Sequence, residues 1–294
     1  MSDFQGKTAV ISGGAEGIGL SIARAVGKRG MNVVIGDIDA EQMAQAEKTL
    51  GAEGVEVLCV NLDVSKIEMW ESLVAQATDR FGNIHMLVNN AGVGGTPGTV
   101  EQATQKDWEW VVDVNLLGVV YGAKVVVPQI KQHGEGGWVI NTASMAGMMG
   151  VPMAQAYTGT KVAVVGMSES WFQELKPQNI HVSVLCPAFV KTRIHESYRN
   201  RQSEYGEADM SELDETQIAI AKHMQKVVEN GIDVDLVGER VVEAIQQGEL
   251  YIFTHPNYRK VLQRRAKAVD DAFARAAQSP LLQDLLDLPV DDFS

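Results

Sequence analysis

Short apolar runs alternate with amphipathic stretches from Lys7 to Cys186, and that alternation leaves few folds open. Lys7–Ser12, Met31–Asp37, Val55–Val60, His85–Asn89, Gly137–Thr142 and Ile180–Cys186 read as strands. Gly17–Lys28, Asp39–Leu50, Ser65–Phe81, Asp107–Gln132 and Gln155–Lys176 read as helices, with Asp39 and Ser65 as N-caps. Strands interleaved with helices of this length form βαβ units, and strands apolar on both sides are strands that helices cover on both faces. The predicted fold class is therefore α/β: a three-layer, doubly wound Rossmann fold. Its sheet is mostly parallel, with about seven strands once Leu250–Phe253 is counted. No internal repeat competes with this reading.

Beyond Pro187 the texture changes. Residues 193–235 are polar and read as a substrate-lid insertion, with a helical stretch at Glu215–Glu229. Leu236–Gln247 reads as a helix, and 257–294 as a C-terminal charged helix and tail. No Pro/Gly/Ser-rich linker divides the chain, so a single Rossmann-fold domain over 1–294 is expected.

Composition removes several classes of function. Twenty-five basic against 38 acidic side chains give a net charge of −13, a poor match to nucleic acid or to anionic membrane. No uninterrupted apolar stretch is long enough to span a bilayer, and the N-terminus lacks a signal-peptide pattern, so a cytoplasmic protein is expected. Cys59 and Cys186 lie in strand-like apolar runs and read as buried reduced thiols. The six histidines show no paired-ligand spacing, so no metal is expected, and His195 reads as a surface imidazole.

Ser12-Gly-Gly-Ala-Glu-Gly-Ile-Gly19 follows the first strand and opens the first helix. Gly13 permits the turn, Gly17 admits a pyrophosphate close to the backbone, and Gly19 lets the helix pack on the sheet. The helix N-terminus offers unpaired N–H groups and a positive dipole end. Asp37 closes the second strand, where a carboxylate accepts from both ribose hydroxyls and repels a 2′-phosphate. No base stands at Ile38 or Asp39, and Glu16 in the loop is also acidic, so NAD is favoured over NADP.

Tyr157 and Lys161 stand four apart in a helical segment and share a face. A phenol with pKa near 10 is a poor base at neutral pH. An ammonium about 4 Å away contributes roughly 4 kcal/mol at an effective dielectric near 20, about 3 pKa units before desolvation opposes it. Such a pair is a proton acceptor for an alcohol. Ser144 follows a strand end, where a doubly wound sheet forms its ligand crevice. Asn115 is a polar residue in an apolar helix and needs a partner.

With Ser12-Gly13…Gly17-Ile-Gly19, Asp63, Asn89-Asn-Ala-Gly92, Asn115, Ser144, Tyr157-x-x-x-Lys161 and Pro187-Ala-Phe-Val-Lys-Thr192, the chain resembles the short-chain dehydrogenase/reductase family. The resemblance covers about residues 5–192. It implies that Tyr157 is the acid/base and that Ser144 holds the substrate oxygen. Lys161 lowers the phenol pKa and holds the nicotinamide ribose, and Asn115 bends its helix and holds a water. It further implies that Asp63 and Val64 contact adenine, Asn90 the ribose side, and Val190 and Thr192 the carboxamide and phosphates. The expected cofactor-binding set is Ser12, Gly13, Glu16, Gly17, Ile18, Gly19, Asp37, Asp63, Val64, Asn90, Ala91, Gly92, Pro187, Val190 and Thr192, with Tyr157 and Lys161. The family's usual Pro-Gly is Pro187-Ala188 here, and its Gly-rich ending is replaced by Leu250–Pro256 and a long helix.

Val93–Pro97, Met145–Met153, Phe189 and the insertion are expected to form the substrate pocket, with Tyr198 and Met210 as candidate contacts. The methionines Met145, Met148, Met149 and Met153 suit a bulky apolar or aromatic secondary alcohol or ketone. A weaker resemblance, carried by Tyr251–Pro256, is to bacterial aryl-alcohol Cα-dehydrogenases. Trp108, Trp110 and Trp171 read either as core or as a face between protomers of a homodimer or homotetramer. Two rival functions remain: an NADPH-dependent ketoreductase, and a non-catalytic NAD-sensing or scaffold protein on the same fold.

Overall fold

The structure is a computed structural model, and it describes residues 4–206 and 213–291. Its elements run β1 (Thr8–Ser12), α1 (Gly17–Gly27), β2 (Asn32–Asp37), α2 (Ala40–Ala52), β3 (Val57–Asn61), α3 (Ile67–Phe81), β4 (Met86–Asn89), α4 (Gln105–Val112) and α5 (Gly118–His133). Then come β5 (Gly137–Thr142), α6 (Met145–Met148), α7 (Gln155–Leu175), β6 (Ile180–Cys186), α8 (Glu215–Glu229), α9 (Val234–Gln247), β7 (Tyr251–Phe253) and α10 (Arg259–Ala277). Among the described residues the strands form one parallel sheet in the order β3-β2-β1-β4-β5-β6-β7. The order reverses between β1 and β4, and a ligand crevice opens outside the strand ends at such a switch point.

Alternate residues of each inner strand feed opposite layers. Ala9, Ile11, Val33, Ile35, Met86 and Val88 join the core under α1, α2 and α9. Val10, Val34 and Leu87 join the core under α3, α5 and α7, around Trp70 and Trp110. Burying each large side chain contributes roughly 1.5–3 kcal/mol, which is why the strands are apolar on both sides. Cys59 and Cys186 are free, the second fully buried.

Local chemistry corrects some boundaries. Asp39 caps α2 by accepting from Gln42 N at 3.1 Å, as its position suggests. Ser65 does not cap α3: its hydroxyl donates to Asp63 Oδ1 at 2.7 Å, and the helix begins after Lys66. The helix expected over Asp107–Gln132 begins at Gln105, capped by Thr104. It is interrupted by a π turn over Asp113–Leu117, so α4 and α5 are separate. Together Gln105–His133 is long and apolar enough to cross a membrane. Trp110, Val111, Val126 and Ile130 are nonetheless fully buried in the core, so this is a core helix.

The chain divides into two units, Met1–Thr254 and His255–Ser294. The first holds the sheet and its covering helices. The second holds a 3₁₀ turn at Pro256–Tyr258, α10, and a further turn at Pro280–Leu285, and no residue of α10 is buried.

Candidate active site

One cavity opens at the carboxyl ends of the strands. Every residue expected to be catalytic or to bind the cofactor lines it except Ser12, Gly19 and Asn115, and each of those three contacts a lining residue. Gly13 has φ 61°, and a Cβ there would lie 2.8 Å from Ala91 Cα. A Cβ on Gly19 would strike the Gly13 carbonyl and stand 2.6 Å from Asn90 Nδ2. The loop is thus a bare-backbone cradle at the start of α1, where the helix leaves its first N–H groups without partners. A nicotinamide dinucleotide fits that donor set.

Hydrogen bonds tie this loop to the β4 end. Ser12 Oγ accepts from Asn90 N at 3.1 Å and Ala91 N at 3.2 Å. Asn90 Nδ2 donates to the carbonyls of Ser12 and Gly13 at 3.2 and 2.9 Å. The Asn90 side-chain nitrogen therefore braces the glycine loop, while the residue also lines the cavity. Thr192 closes over Gly17, a Cβ on which would lie 3.3 Å from Thr192 Cγ2. Asp37 is buried, accepting from Ala15 N at 3.0 Å and Asp39 N at 3.1 Å. Burial raises its carboxyl above the usual range against those N–H groups.

Tyr157 and Lys161 follow one another on α7, and Ser144 caps α6 just beyond β5. Ser144 Oγ accepts from Ala146 N at 3.1 Å, and its hydrogen bond to the phenol favours the phenolate. Lys161 Nζ donates to Thr142 O at 2.8 Å and lies 5.6 Å from the Tyr157 ring centroid. Burial holds the Lys161 ammonium down to about 8. Burial likewise pushes Tyr157 up, with the Ser144 hydrogen bond opposing it. Desolvation is the largest cause for both groups, and the ammonium is directed to the strand-end carbonyl of Thr142.

Asn115 sits inside the π turn and is fully buried. Its Oδ1 accepts from Val93 N at 2.7 Å and its Nδ2 donates to Val93 O at 2.8 Å. A Cβ on Gly92 would stand 3.3 Å from Asn115 Oδ1 and 3.4 Å from Lys161 Nζ, so the three groups converge on one strand end. The extra residue of a π turn aims a side chain that an α-helix would not.

The insertion folds over the cavity as two 3₁₀ turns, Ile194–Asn200 and Ser203–Tyr205, with α8 beyond. Sequence reasoning missed its anchors. Arg193 and Arg199 pair with Glu16 in the phosphate loop. Arg201 pairs with buried Asp107 at 2.5 Å and covers Trp110 at 4.9 Å. Tyr198 Oη donates to Gly95 O at 2.8 Å, and Ser197 Oγ accepts from Gly94 N at 3.0 Å. Trp110, Ile194, Ser197 and Arg199 line the cavity.

Met145, Met148, Met149 and Met153 do not line the cavity: Met145 is buried core, and Met153 holds a positive φ of 64° while its carbonyl accepts from Gly98 N. Phe189 and Tyr198 are also off the lining. Met210 lies outside the described residues. His195 is no surface imidazole, its side chain being 16% exposed.

His85, His133 and Glu135 cluster at the opposite end of β4 with ligand-capable atoms within 4.8 Å. His85 Nδ1 accepts from Thr8 N at 3.2 Å, which leaves the proton on Nε2, facing Glu135. His133 Nδ1 accepts from Glu135 N and Nε2 faces Ile84 O. The histidine lone pairs are committed to backbone N–H groups, so the donor set suits a hydrogen-bonded pair and not a cation.

The family model described as short chain dehydrogenase matches residues 7–203. A CLA biosynthesis dehydrogenase/reductase of Lactiplantibacillus plantarum is 34% identical over 272 residues, 92% of this chain and 95% of that protein. A C alpha-dehydrogenase of Sphingobium sp. is 30% identical over 280 residues, 95% of this chain and 90% of that one. A short-chain dehydrogenase/reductase from Burkholderia phymatum, solved in complex with NAD, superposes with a TM-score of 0.87 at 32% identity over all of both chains. The match spans the glycine loop, the β4 and β5 ends and the Tyr157–Lys161 helix: this chain belongs to the short-chain dehydrogenase family and is an oxidoreductase of the alcohol-dehydrogenase type.

Proposed function

We propose that the protein catalyses the reversible NAD-dependent oxidation of a secondary alcohol, bulky and apolar or aromatic, to its ketone in the cytoplasm. The observation that carries this is the convergence of Ser144, Tyr157 and Lys161 on the same cavity as Asp37 and the glycine loop. A bound nicotinamide dinucleotide supplies the hydride acceptor. Tyr157 takes the hydroxyl proton, with Ser144 Oγ holding the substrate oxygen beside it. Lys161 keeps a positive charge next to the phenol, anchored on Thr142 O at 2.8 Å. Asn115, fixed at both ends of its amide to Val93, positions the strand end against which Lys161 packs. Trp110, Val93, Val114, Ile194 and Val228 give the cavity an apolar wall, which supports an apolar substrate.

Replacing Tyr157 by Phe removes the proton acceptor and little else. Turnover should fall by about 10³-fold or more, while NAD affinity by equilibrium fluorescence stays within about threefold. Residual turnover near wild type would remove Tyr157 from the chemistry.

A second reading, NADP dependence, draws on Arg193 and Arg199, which bring positive charge to the phosphate loop. Both guanidiniums face Glu16, and Asp37 is the acid at the end of β2, so NAD remains our reading. Steady-state rates with the two cofactors decide between them.

A further inference from the structure

Glu16 places a carboxylate at the N-cap position of α1, and its side chain caps none of the helix N–H groups. An acid there opposes any anion that the bare N–H groups of the glycine loop would hold. The insertion after β6 answers it with two cations. Arg199 Nη2 pairs with Glu16 Oε1, and Arg193 Nη1 stands 3.4 Å from Glu16 Oε2.

The two arginines are not equivalent. The Arg193 side chain is 45% exposed, and its Nε pairs with Glu196 at 2.7 Å. The Arg199 side chain is 22% exposed, and among the described residues Glu16 is the one carboxylate with which it pairs. Its Nη1 donates to the carbonyls of Arg193 and Glu196, both at 3.3 Å, which holds the guanidinium plane against its own turn. The same turn is fixed to the β4 end, with Ser197 Oγ accepting from Gly94 N and Tyr198 Oη donating to Gly95 O. Burial keeps Arg199 below the usual arginine value, and a guanidinium that has lost water gains from a second anion.

Gly13, Glu16, Gly17 and Arg199 line one cavity, so the guanidinium faces the loop from across the space that phosphates would fill. Five N–H donors in a planar fork allow Arg199 to keep Glu16 and to take a phosphate oxygen as well. We propose that Arg199 is a ligand for the diphosphate of the bound dinucleotide, so that the insertion completes the cofactor site. The proposal rests on the dinucleotide reading above. It depends neither on the alcohol nor on the choice between NAD and NADP, which share the diphosphate.

The test is calorimetric binding of ADP and of adenosine to the full-length chain and to three variants: Arg199→Met, Glu16→Gln and the double substitution. Circular dichroism shows that each keeps the fold. Arg199→Met should weaken ADP by about tenfold or more and leave adenosine within about twofold. The same substitution made on the Glu16→Gln chain should still cost ADP about tenfold, because direct contact does not need the carboxylate. A loss that disappears in the Glu16→Gln background overturns the proposal, since Arg199 would then only screen Glu16. Adenosine weakened as much as ADP overturns it too, since the site's shape and not a phosphate contact would have been lost. A wild-type chain that binds neither ADP nor NAD overturns the dinucleotide reading and this proposal with it.

Discussion

Arg201 is the best place to test whether the insertion works as a lid. Its guanidinium donates to Asp107 Oδ1 at 2.5 Å, to Gly206 O at 3.0 Å and to Tyr205 O at 2.8 Å, and it lies over Trp110. The side chains of Arg201 and Asp107 are only 5% and 12% exposed. Arg201→Met removes the charge and keeps most of the volume. Unpairing a buried ion costs about 3–5 kcal/mol. Asp107 still accepts from Thr96 Oγ1 at 2.9 Å and Thr104 Oγ1 at 2.7 Å, so the lower end, about 3 kcal/mol, applies here. If that energy holds the lid down, the open fraction rises on the order of a hundredfold. Hydrogen exchange over residues 193–206 reads it directly, with Val10 and Val139 amides in the sheet as unchanged references. KM for the alcohol should rise in step. The second variant, Arg201→Met/Asp107→Leu, should recover most of the loss, because it leaves no unpaired charge. Exchange within about twofold of wild type in the single variant, or a double variant as labile as the single one, would refute the reasoning.

Two other substitutions address separate parts of the molecule. Asp37→Ala should narrow the ratio of NAD to NADP kcat/KM by about tenfold or more, and an unchanged ratio would show that Asp37 does not discriminate. His85 is held below its ordinary value of 6.5, chiefly by burial and then by the His133 ring, with Glu135 opposing. Below that ordinary value the unfolded chain binds a proton that the folded chain refuses, so stability is present above it and falls as pH drops toward the folded value. His85→Gln should flatten the thermal midpoint between pH 7 and 5 relative to wild type, as followed by circular dichroism. An equal acid loss in the variant would place that sensitivity elsewhere.

How far the sequence could be read depended on whether a signal was local. Six strands and their helices were legible because burial on both faces demands unbroken apolar runs, as at Val33–Ile35 and Val139–Ile140. The glycine loop was legible for the same reason: Gly13 and Gly19 answer to contacts that only a missing Cβ permits. The Ser65 cap was misread because Asp63, two residues back, competes for the hydroxyl. The π turn was signalled only through Asn115, a polar residue in an apolar helix, because the partner that satisfies it, Val93, lies 22 residues away in sequence. Met145 was misplaced because periodicity cannot say which side of a four-residue helix such as α6 faces the cavity.

The insertion after β6 shows the limit most clearly. Glu16 alone counts as an acid that repels an anionic cofactor. In the folded chain it stands against Arg193, 177 residues away in sequence, and against Arg199. A carboxylate neutralised by two guanidiniums no longer carries the field assigned to it from composition. The NAD preference we propose would therefore depend on the insertion as much as on the loop, with Asp37, which accepts from the backbone N–H groups of Ala15 and Asp39, as the residue expected to set it.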